Sequence, residues 1–165
     1  MDFRVLGSFG GDSPECRMTS FLVDGVVAVD AGAVTRALSI SEQRQVRHVL
    51  ITHTHMDHFI GFDRILRICL GRERELNIYG PPDFIQQVGH RLAGYTWNLT
   101  ESYDTNFTIH VYEIHDDGTL KQASFRCRNR FQCEMGDDRT IADNMVVDED
   151  LFSILAITLD HQTPC

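Results

Sequence analysis

These 165 residues lack the sequence features that mark membrane, secreted and disulfide-rich proteins. No apolar stretch approaches the roughly 20 residues that a membrane-spanning helix needs. The first residues, Met1 to Arg4, do not have the pattern of a secretory signal peptide. The five cysteines form no Cys-x-x-Cys pair. An odd, scattered set of this kind predicts reduced thiols in a cytoplasmic protein rather than a disulfide framework.

Positive charge is also scarce, because 15 lysines and arginines face 24 acidic residues and leave a net charge of −9. Such a surface disfavours nonspecific wrapping of nucleic acid, although a local site could still draw positive charge from metal ions. The glycine-rich stretch 9–14 is not followed by the Lys-Ser/Thr of a P-loop, so we interpret it as a turn. A hydrophobic fraction of 42% is ordinary for one globular domain with a real core.

Short local signals predict an alternation of strands and helices, which indicates an α/β layer architecture. Asp24-Gly25 lies between two apolar runs and predicts a hairpin. Residues 33–47 are predicted to be mostly helical, with Ser39 or Ser41 as a cap ahead of Glu42. Further helices are expected after residue 58 and over 83–93. After residue 95 the pattern becomes rich in strands.

Two later stretches carry expectations about the surface. Residues 123–133 are predicted to form one strand with Arg126, Arg128 and Arg130 on one face. That stripe could contact phosphates, although a solvent-facing strand surface is the favoured interpretation. Residues 134–150 contain seven acids and one arginine and are predicted to be a solvated loop.

The densest cluster of metal-binding side chains is His53, His55, Asp57 and His58, directly after an apolar run. Residues two apart on a strand point to the same side, so His53 and His55 can face one point. Asp57 and His58 open a helical segment and can serve a second point close to the first. Imidazoles and a carboxylate suit zinc and similar ions, and two ions would explain the density. A histidine-rich surface loop is the less favoured alternative.

The spacing His53-x-His55-x-Asp57-His58 resembles the HxHxDH signature of the metallo-β-lactamase superfamily of metal-dependent hydrolases. The second ligand position is a histidine, His55, and in this respect the sequence resembles the hydrolytic branch of the superfamily rather than its redox branch. The resemblance implies an α/β fold of the αββα sandwich type and one or two divalent ions, zinc first, with manganese or iron as alternatives. Four further segments resemble the tRNase Z and class II cyclic-nucleotide phosphodiesterase branches: 6–7, 20–22, 30–32 and 78–81.

The same resemblance assigns roles to individual residues. His161, at the end of a β-like run, resembles the third ligand motif of the superfamily. His53, His55 and His161 are then expected to bind one metal, and Asp57 with His58 the other. Asp57 would also orient a metal-bound hydroxide and is the expected catalytic residue. No substrate-binding residue is predicted.

The leading functional hypothesis is therefore a metal-dependent phosphodiesterase that acts on an RNA 3′ end, as in tRNA processing, or on a cyclic nucleotide. Hydrolysis of a thioester or lactone is the alternative chemistry. A catalytically inert half-domain that binds metal is an alternative of another class. Association into a homodimer is an accompanying expectation, because an uncovered sheet would expose apolar area and strand edges.

The superfamily pattern continues beyond the third ligand motif with a bridging aspartate, often in Gly-Asp-Thr, and a last histidine. Neither follows His161 in this sequence. We therefore expect residues 1–165 to form a single, truncated domain. It would correspond to the first half of the sandwich with part of the second sheet.

Overall fold

A computed structural model describes residues 1–150 and 152–159, with helices on one face of a large sheet and a β-hairpin on the other. Its large sheet has nine strands in the order β1-β2-β3-β4-β5-β6-β7-β8, and β9 pairs with β7. β10 and β11 form the separate hairpin. The strands are β1 Phe3–Gly7, β2 Ser20–Val23, β3 Val27–Val29, β4 His48–Leu50, β5 Arg74–Gly80, β6 Phe107–Ile114, β7 Thr119–Arg126, β8 Cys133–Met135, β9 Arg139–Thr140, β10 Met145–Glu149 and β11 Phe152–Leu155.

Five α-helices accompany the strands in the part of the chain that the structure describes. They are α1 Val34–Ala37, α2 Ile40–Gln43, α3 Met56–Phe59, α4 Phe62–Cys69 and α5 Phe84–Ala93. Within residues 1–150 and 152–159, no helix is long and apolar enough to cross a membrane. The prediction of a mixed α/β architecture is confirmed by this order of elements.

Strands β3 to β6 run parallel, in contrast to the antiparallel pairs on either side of them. Parallel strands end at the same edge of a sheet, and that edge is where ligands bind in many α/β proteins. The segment that follows β4 contains the histidine cluster. The sheet therefore presents the cluster at a carboxyl edge.

The two faces of the large sheet have separate apolar cores. On one face, alternate strand residues such as Ile78 and Ile109 pack with the helices, including the predicted stripe of α3 and α4. That stripe consists of Phe59, Phe62, Leu66 and Cys69, all buried. On the other face, Tyr79 and Leu120 pack with Val146 and Val147 of the hairpin. Alternation along the strands supplies both faces with apolar side chains.

Local turn and cap predictions are confirmed. Asp24 and Gly25 adopt positive φ values of 47° and 73° and join β2 to β3 as a hairpin. Ser39 caps α2, and its side chain exchanges hydrogen bonds with Glu42 in a capping box. The predicted helix over 33–47 divides into α1 and α2 at this cap.

The prediction that residues 134–150 form a solvated loop is wrong. The segment includes the end of β8, all of β9 and all of β10. Asp143 and Asn144 adopt positive φ values of 51° and 58° just before β10, a conformation that these residue types tolerate. Val146 and Val147 are then buried against the large sheet. The free energy gained by this burial favours a strand in spite of the surrounding acids.

The prediction of one continuous strand with three arginines on one face is also wrong. β7 ends at Arg126, and the chain turns through a short 3-10 helix before Arg130, which has a φ of 50°. Arg126 is paired with Glu134, and Arg130 Nη2 lies 2.8 Å from Glu101 Oε2. The arginines therefore do not form a stripe that could follow a nucleic-acid backbone.

A buried histidine ties the hairpin to the strand that precedes the cluster. His48 in β4 is 3% exposed, and its Nε2 lies 2.9 Å from Glu149 Oε1 in β10. Its Nδ1 lies 3.3 Å from the hydroxyl of Tyr79, and Phe152 packs edge-on against the ring. Burial raises the pKa of Tyr79, so that its hydroxyl stays protonated and can donate to the neutral imidazole.

We expect the buried His48 to make the fold less stable in mild acid. Burial lowers the pKa of His48 below its ordinary value of 6.5, and Arg47 lowers it further, although the carboxylate of Glu149 opposes the shift. The unfolded chain therefore takes up this proton at a higher pH than the folded chain, and stability is lost as the pH falls below about 6.5. Urea unfolding between pH 7 and pH 5 should show a smaller loss of stability in His48→Gln than in the wild type.

The control for this measurement is His90→Gln, which removes an exposed histidine on α5. It should lose stability with falling pH as the wild type does. An identical pH dependence in the wild type and in His48→Gln would contradict the prediction.

Candidate metal centre

The predicted cluster lies on the turn between β4 and the first turn of α3. His55 is the residue before α3, in extended conformation, and Asp57 and His58 lie within the helix. The ring centroids of His53 and His55 are 4.4 Å apart, and those of His53 and His58 are 4.1 Å apart. The structure therefore brings together all four predicted side chains of the 53–58 segment.

Within the cluster the donor atoms form two pairs. His53 Nε2 lies 3.0 Å from His55 Nδ1, and His58 Nε2 lies 3.3 Å from Asp57 Oδ2. His53 is buried, whereas His55 is exposed and Asp57 and His58 are half-buried. The expected assignment of these residues to two metals stays a prediction.

The third expected donor of the first metal, His161, lies outside the described residues. Within residues 1–150 and 152–159, no three His, Cys, Asp or Glu side chains are arranged so that they could hold a metal ion together. The donor set itself fits a divalent ion, since imidazole nitrogens and a carboxylate oxygen are zinc ligands and neighbouring pairs lie within 3.3 Å.

Behind the cluster lies a buried carboxylate that the sequence interpretation did not assign to the site. Asp30 follows β3 with a φ of 58° and is 2% exposed. Its Oδ2 accepts a hydrogen bond of 2.7 Å from His58 Nδ1, and its Oδ1 accepts one of 2.9 Å from the backbone N–H of Thr52. This contact engages Nδ1 of His58 and leaves Nε2 on the side of Asp57.

The hydroxyl of Thr52 lies between Asp30 and His53 and orients the imidazole of His53. Thr52 Oγ1 lies 3.0 Å from Asp30 Oδ1 and 3.1 Å from His53 Nδ1. It can donate to the carboxylate and accept from the imidazole, which leaves Nε2 of His53 toward His55. Two sequence signals could have indicated this network. Thr52 is a polar residue directly before the cluster, and Asp30 is an aspartate directly after a neighbouring strand.

Two glycines allow the cluster to approach the loop that carries Asp30. A Cβ on Gly32 would lie 2.0 Å from the backbone oxygen of Asp57, and one on Gly61 would lie 1.8 Å from that of Ala31. The backbone N–H of Ala31 also donates to the oxygen of His58 at 2.7 Å. The cluster is thus held by backbone contacts that any side chain at these positions would prevent.

Asp30→Asn is expected to weaken zinc binding about 10-fold to 100-fold, the usual range when a group that orients a ligand is lost. The amide retains the shape of the side chain but offers a weaker acceptor to His58 Nδ1. Calorimetric titration of zinc into the metal-free chain measures the change. Asp24→Asn is the matched control, because Asp24 also has a positive φ of 47° but lies in the β2–β3 turn. Equal zinc affinity in Asp30→Asn and the wild type would contradict this role.

Comparison with known proteins gives several relatives. A curated ribonuclease Z of Deinococcus radiodurans is 32% identical over 139 residues, which are 83% of this chain and 41% of that protein. A hydroxyacylglutathione hydrolase-like protein of Gallus gallus is 42% identical over 69 residues, which are 41% of this chain and 23% of that protein. The chain thus spans about two fifths of the first relative and about a quarter of the second.

The crystal structure of the short form of human tRNase Z aligns with a TM-score of 0.45 and 18% identity, over 87% of this chain and 71% of that one. The family model described as the beta-lactamase superfamily domain matches residues 19–140. This range covers most of the chain and contains the whole 53–58 cluster together with Asp30 and Thr52. The chain therefore belongs to the metallo-β-lactamase superfamily.

Proposed function

We propose that this chain is the metal-binding part of a phosphodiesterase that acts on RNA, as a ribonuclease Z does. The observation that carries the proposal is the cluster itself. Two pairs of donors, His53 with His55 and Asp57 with His58, lie side by side at the carboxyl edge of a parallel sheet. One or two divalent ions, zinc first, are the expected cofactors.

The choice of a phosphodiester is supported by the similarity to ribonuclease Z, which extends over 83% of this chain. An RNA substrate would have to approach a chain with a net charge of −9. Binding is therefore expected to depend on the positive charge of the ions rather than on a broad basic surface. A cyclic nucleotide remains the smaller substrate of the same chemical class.

The residues of the cluster have separate roles in this proposal. When bound, divalent ions supply Lewis-acid activation of water near neutral pH. Asp57, at the start of α3, accepts a hydrogen bond from the attacking water and orients it toward phosphorus. Asp30 and Thr52 hold the rings of His58 and His53 by their Nδ1 atoms. His161 is proposed as the third donor beside His53 and His55.

Hydrolysis of a thioester is the second candidate function. The observation that favours it is the 42% identity, over 69 residues, to the hydroxyacylglutathione hydrolase-like protein. The same cluster could direct water to a carbonyl carbon, because the roles of Asp57 and the histidines do not depend on the atom attacked. The two candidates differ in the substrate and not in the metal-binding residues.

The test is hydrolysis of bis(p-nitrophenyl) phosphate and of a hydroxyacylglutathione by the chain loaded with zinc or manganese. We expect turnover of the phosphodiester that stops when a chelator is added and returns when the metal is restored. His55→Ala should abolish it, and His90→Ala, which changes an exposed histidine on α5, should not.

The other outcomes each support a different conclusion. Turnover of the thioester alone would replace the phosphodiesterase by the second candidate. Tight zinc binding without turnover of either substrate would support a metal-binding domain that is not catalytic by itself. Phosphodiester turnover that survives both the chelator and His55→Ala would contradict the proposed centre.

A further inference from the structure

An exposed aromatic residue on the loop that approaches the cluster has no role in the proposed function. Phe9 follows β1 on the glycine-rich loop, and 51% of its surface is exposed. Its backbone N–H donates to the oxygen of Arg17 at 3.1 Å, and it forms an isolated bridge with Met18. The loop backbone is therefore held in place although the ring is in contact with solvent.

The neighbouring glycines show where this loop lies. A Cβ on Gly10 would be 3.7 Å from Asp57 Oδ2, whereas one on Gly11 would meet nothing within 4 Å. Met18, which is bridged to Phe9, approaches Gly32 at the point where Gly32 touches the backbone of Asp57. Consecutive Cα atoms are about 3.8 Å apart, so Phe9 lies one residue from Gly10, the position that approaches the proposed catalytic carboxylate.

A second large, exposed apolar side chain is next to the same aspartate in the sequence. Met56 is the first residue of α3, between His55 and Asp57, and is 68% exposed. Single exposed apolar residues are common on protein surfaces. Here, however, Met56 adjoins Asp57 in the sequence and Phe9 adjoins Gly10, and a Cβ on Gly11 would meet nothing within 4 Å.

We infer that the ring of Phe9 is a stacking platform for a base of the substrate, beside the phosphodiester that reacts at the cluster. This inference rests on the proposed function and names a residue that binds the base of its RNA or cyclic-nucleotide substrate. A base is joined to its phosphate through a single sugar, which matches the placement of Phe9 next to the loop contact with Asp57. Stacking on an aromatic ring requires a planar face and tolerates any base, so selectivity for a particular base is not expected.

The probe is a single-stranded RNA pentamer that carries 2-aminopurine, whose fluorescence decreases when the base stacks. Binding to the zinc-loaded chain is measured by anisotropy and stacking by the fluorescence decrease. Phe9→Leu keeps an apolar side chain without a ring and should weaken binding about tenfold and abolish the decrease. Phe9→Tyr keeps the ring and should retain both. Phe3→Leu is the matched control, because Phe3 is 54% exposed at the opposite end of β1.

A pentamer that is abasic at all five positions, and so offers phosphates but no base, completes the design. It should bind equally well to the wild type and to Phe9→Leu, because only stacking distinguishes the two chains. Unchanged binding and fluorescence of the 2-aminopurine RNA in Phe9→Leu would overturn the inference. It would also be overturned if Phe9→Leu weakened binding of the abasic RNA as much as binding of the 2-aminopurine RNA.

Turnover of bis(p-nitrophenyl) phosphate on the same preparations separates the role of Phe9 from the proposed function. If that turnover is present, a failure in the stacking assay concerns Phe9 alone. If it is absent, the proposed function fails even where stacking on Phe9 is observed.

Discussion

Replacement of Asp57 by asparagine should lower phosphodiester hydrolysis by the metal-loaded chain about 10³-fold, the scale on which a positioned proton acceptor contributes to catalysis. Asp57 Oδ2 lies 3.3 Å from His58 Nε2, and the side chain is 23% exposed, so it can reach both the proposed metal and water. Asparagine keeps the size of the side chain but loses the negative charge that binds the metal and orients the water. The rate is measured with bis(p-nitrophenyl) phosphate at saturating metal.

The control is Asp63→Asn on α4. Asp63 also carries a carboxylate on a short helix close in sequence, but it is paired with Arg91 at 2.7 Å and takes no part in the cluster. Its replacement should leave the rate unchanged. Near-native turnover by Asp57→Asn at full metal loading would remove Asp57 from the mechanism.

Addition of a single methyl group at Gly61 should destabilise the fold by about 3 kcal/mol, at the upper end of the usual cost of overpacking. The new Cβ would lie 1.8 Å from the backbone oxygen of Ala31, which cannot move aside as a side chain can. Relief of the clash must separate α4 from the loop that carries Asp30. Zinc affinity should therefore decrease together with the free energy of unfolding, as measured by calorimetry and urea unfolding.

Gly89→Ala is the matched substitution for this comparison. Gly89 lies within α5, and a Cβ there would lie 3.8 Å from the ring of Phe125, an ordinary contact distance. Because alanine is the better helix former, this variant should be as stable as the wild type or more stable by up to about 1 kcal/mol. A Gly61→Ala chain that unfolds at the same urea concentration as the wild type would show that the two segments do not depend on this close approach.

The elements that could be predicted from the sequence are those specified by neighbouring residues. The Asp24-Gly25 hairpin requires a positive φ at two adjacent positions, and Ser39 caps a helix through Glu42 three residues later. The spacing within 53–58 likewise determined that four donors would share one turn. Each of these signals acts over a few residues, so the rest of the chain is not needed to interpret it.

The misassigned strands in 134–150 depended on distant contacts. The acidic composition of the segment favoured a solvated loop, but Val146 and Val147 pack against Tyr79 and Leu120 on the large sheet. Glu149 contacts a histidine 101 residues away. β propensity is a weak local preference, and pairing and burial decide where a strand forms.

The sequence by itself therefore determined which donor side chains share the strand-to-helix turn. Only the tertiary structure decided how that turn is supported and what lies at its edge. Asp30 reaches His58 across 28 residues, beside close approaches at Gly32 and Gly61 that only glycine permits. The loop with Phe9 approaches Asp57 across nearly 50 residues. Spacing specifies which side chains share a turn because the backbone repeats regularly within one element. The partners of those side chains depend on the pairing of the parallel strands, which brings together the ends of segments far apart in the chain.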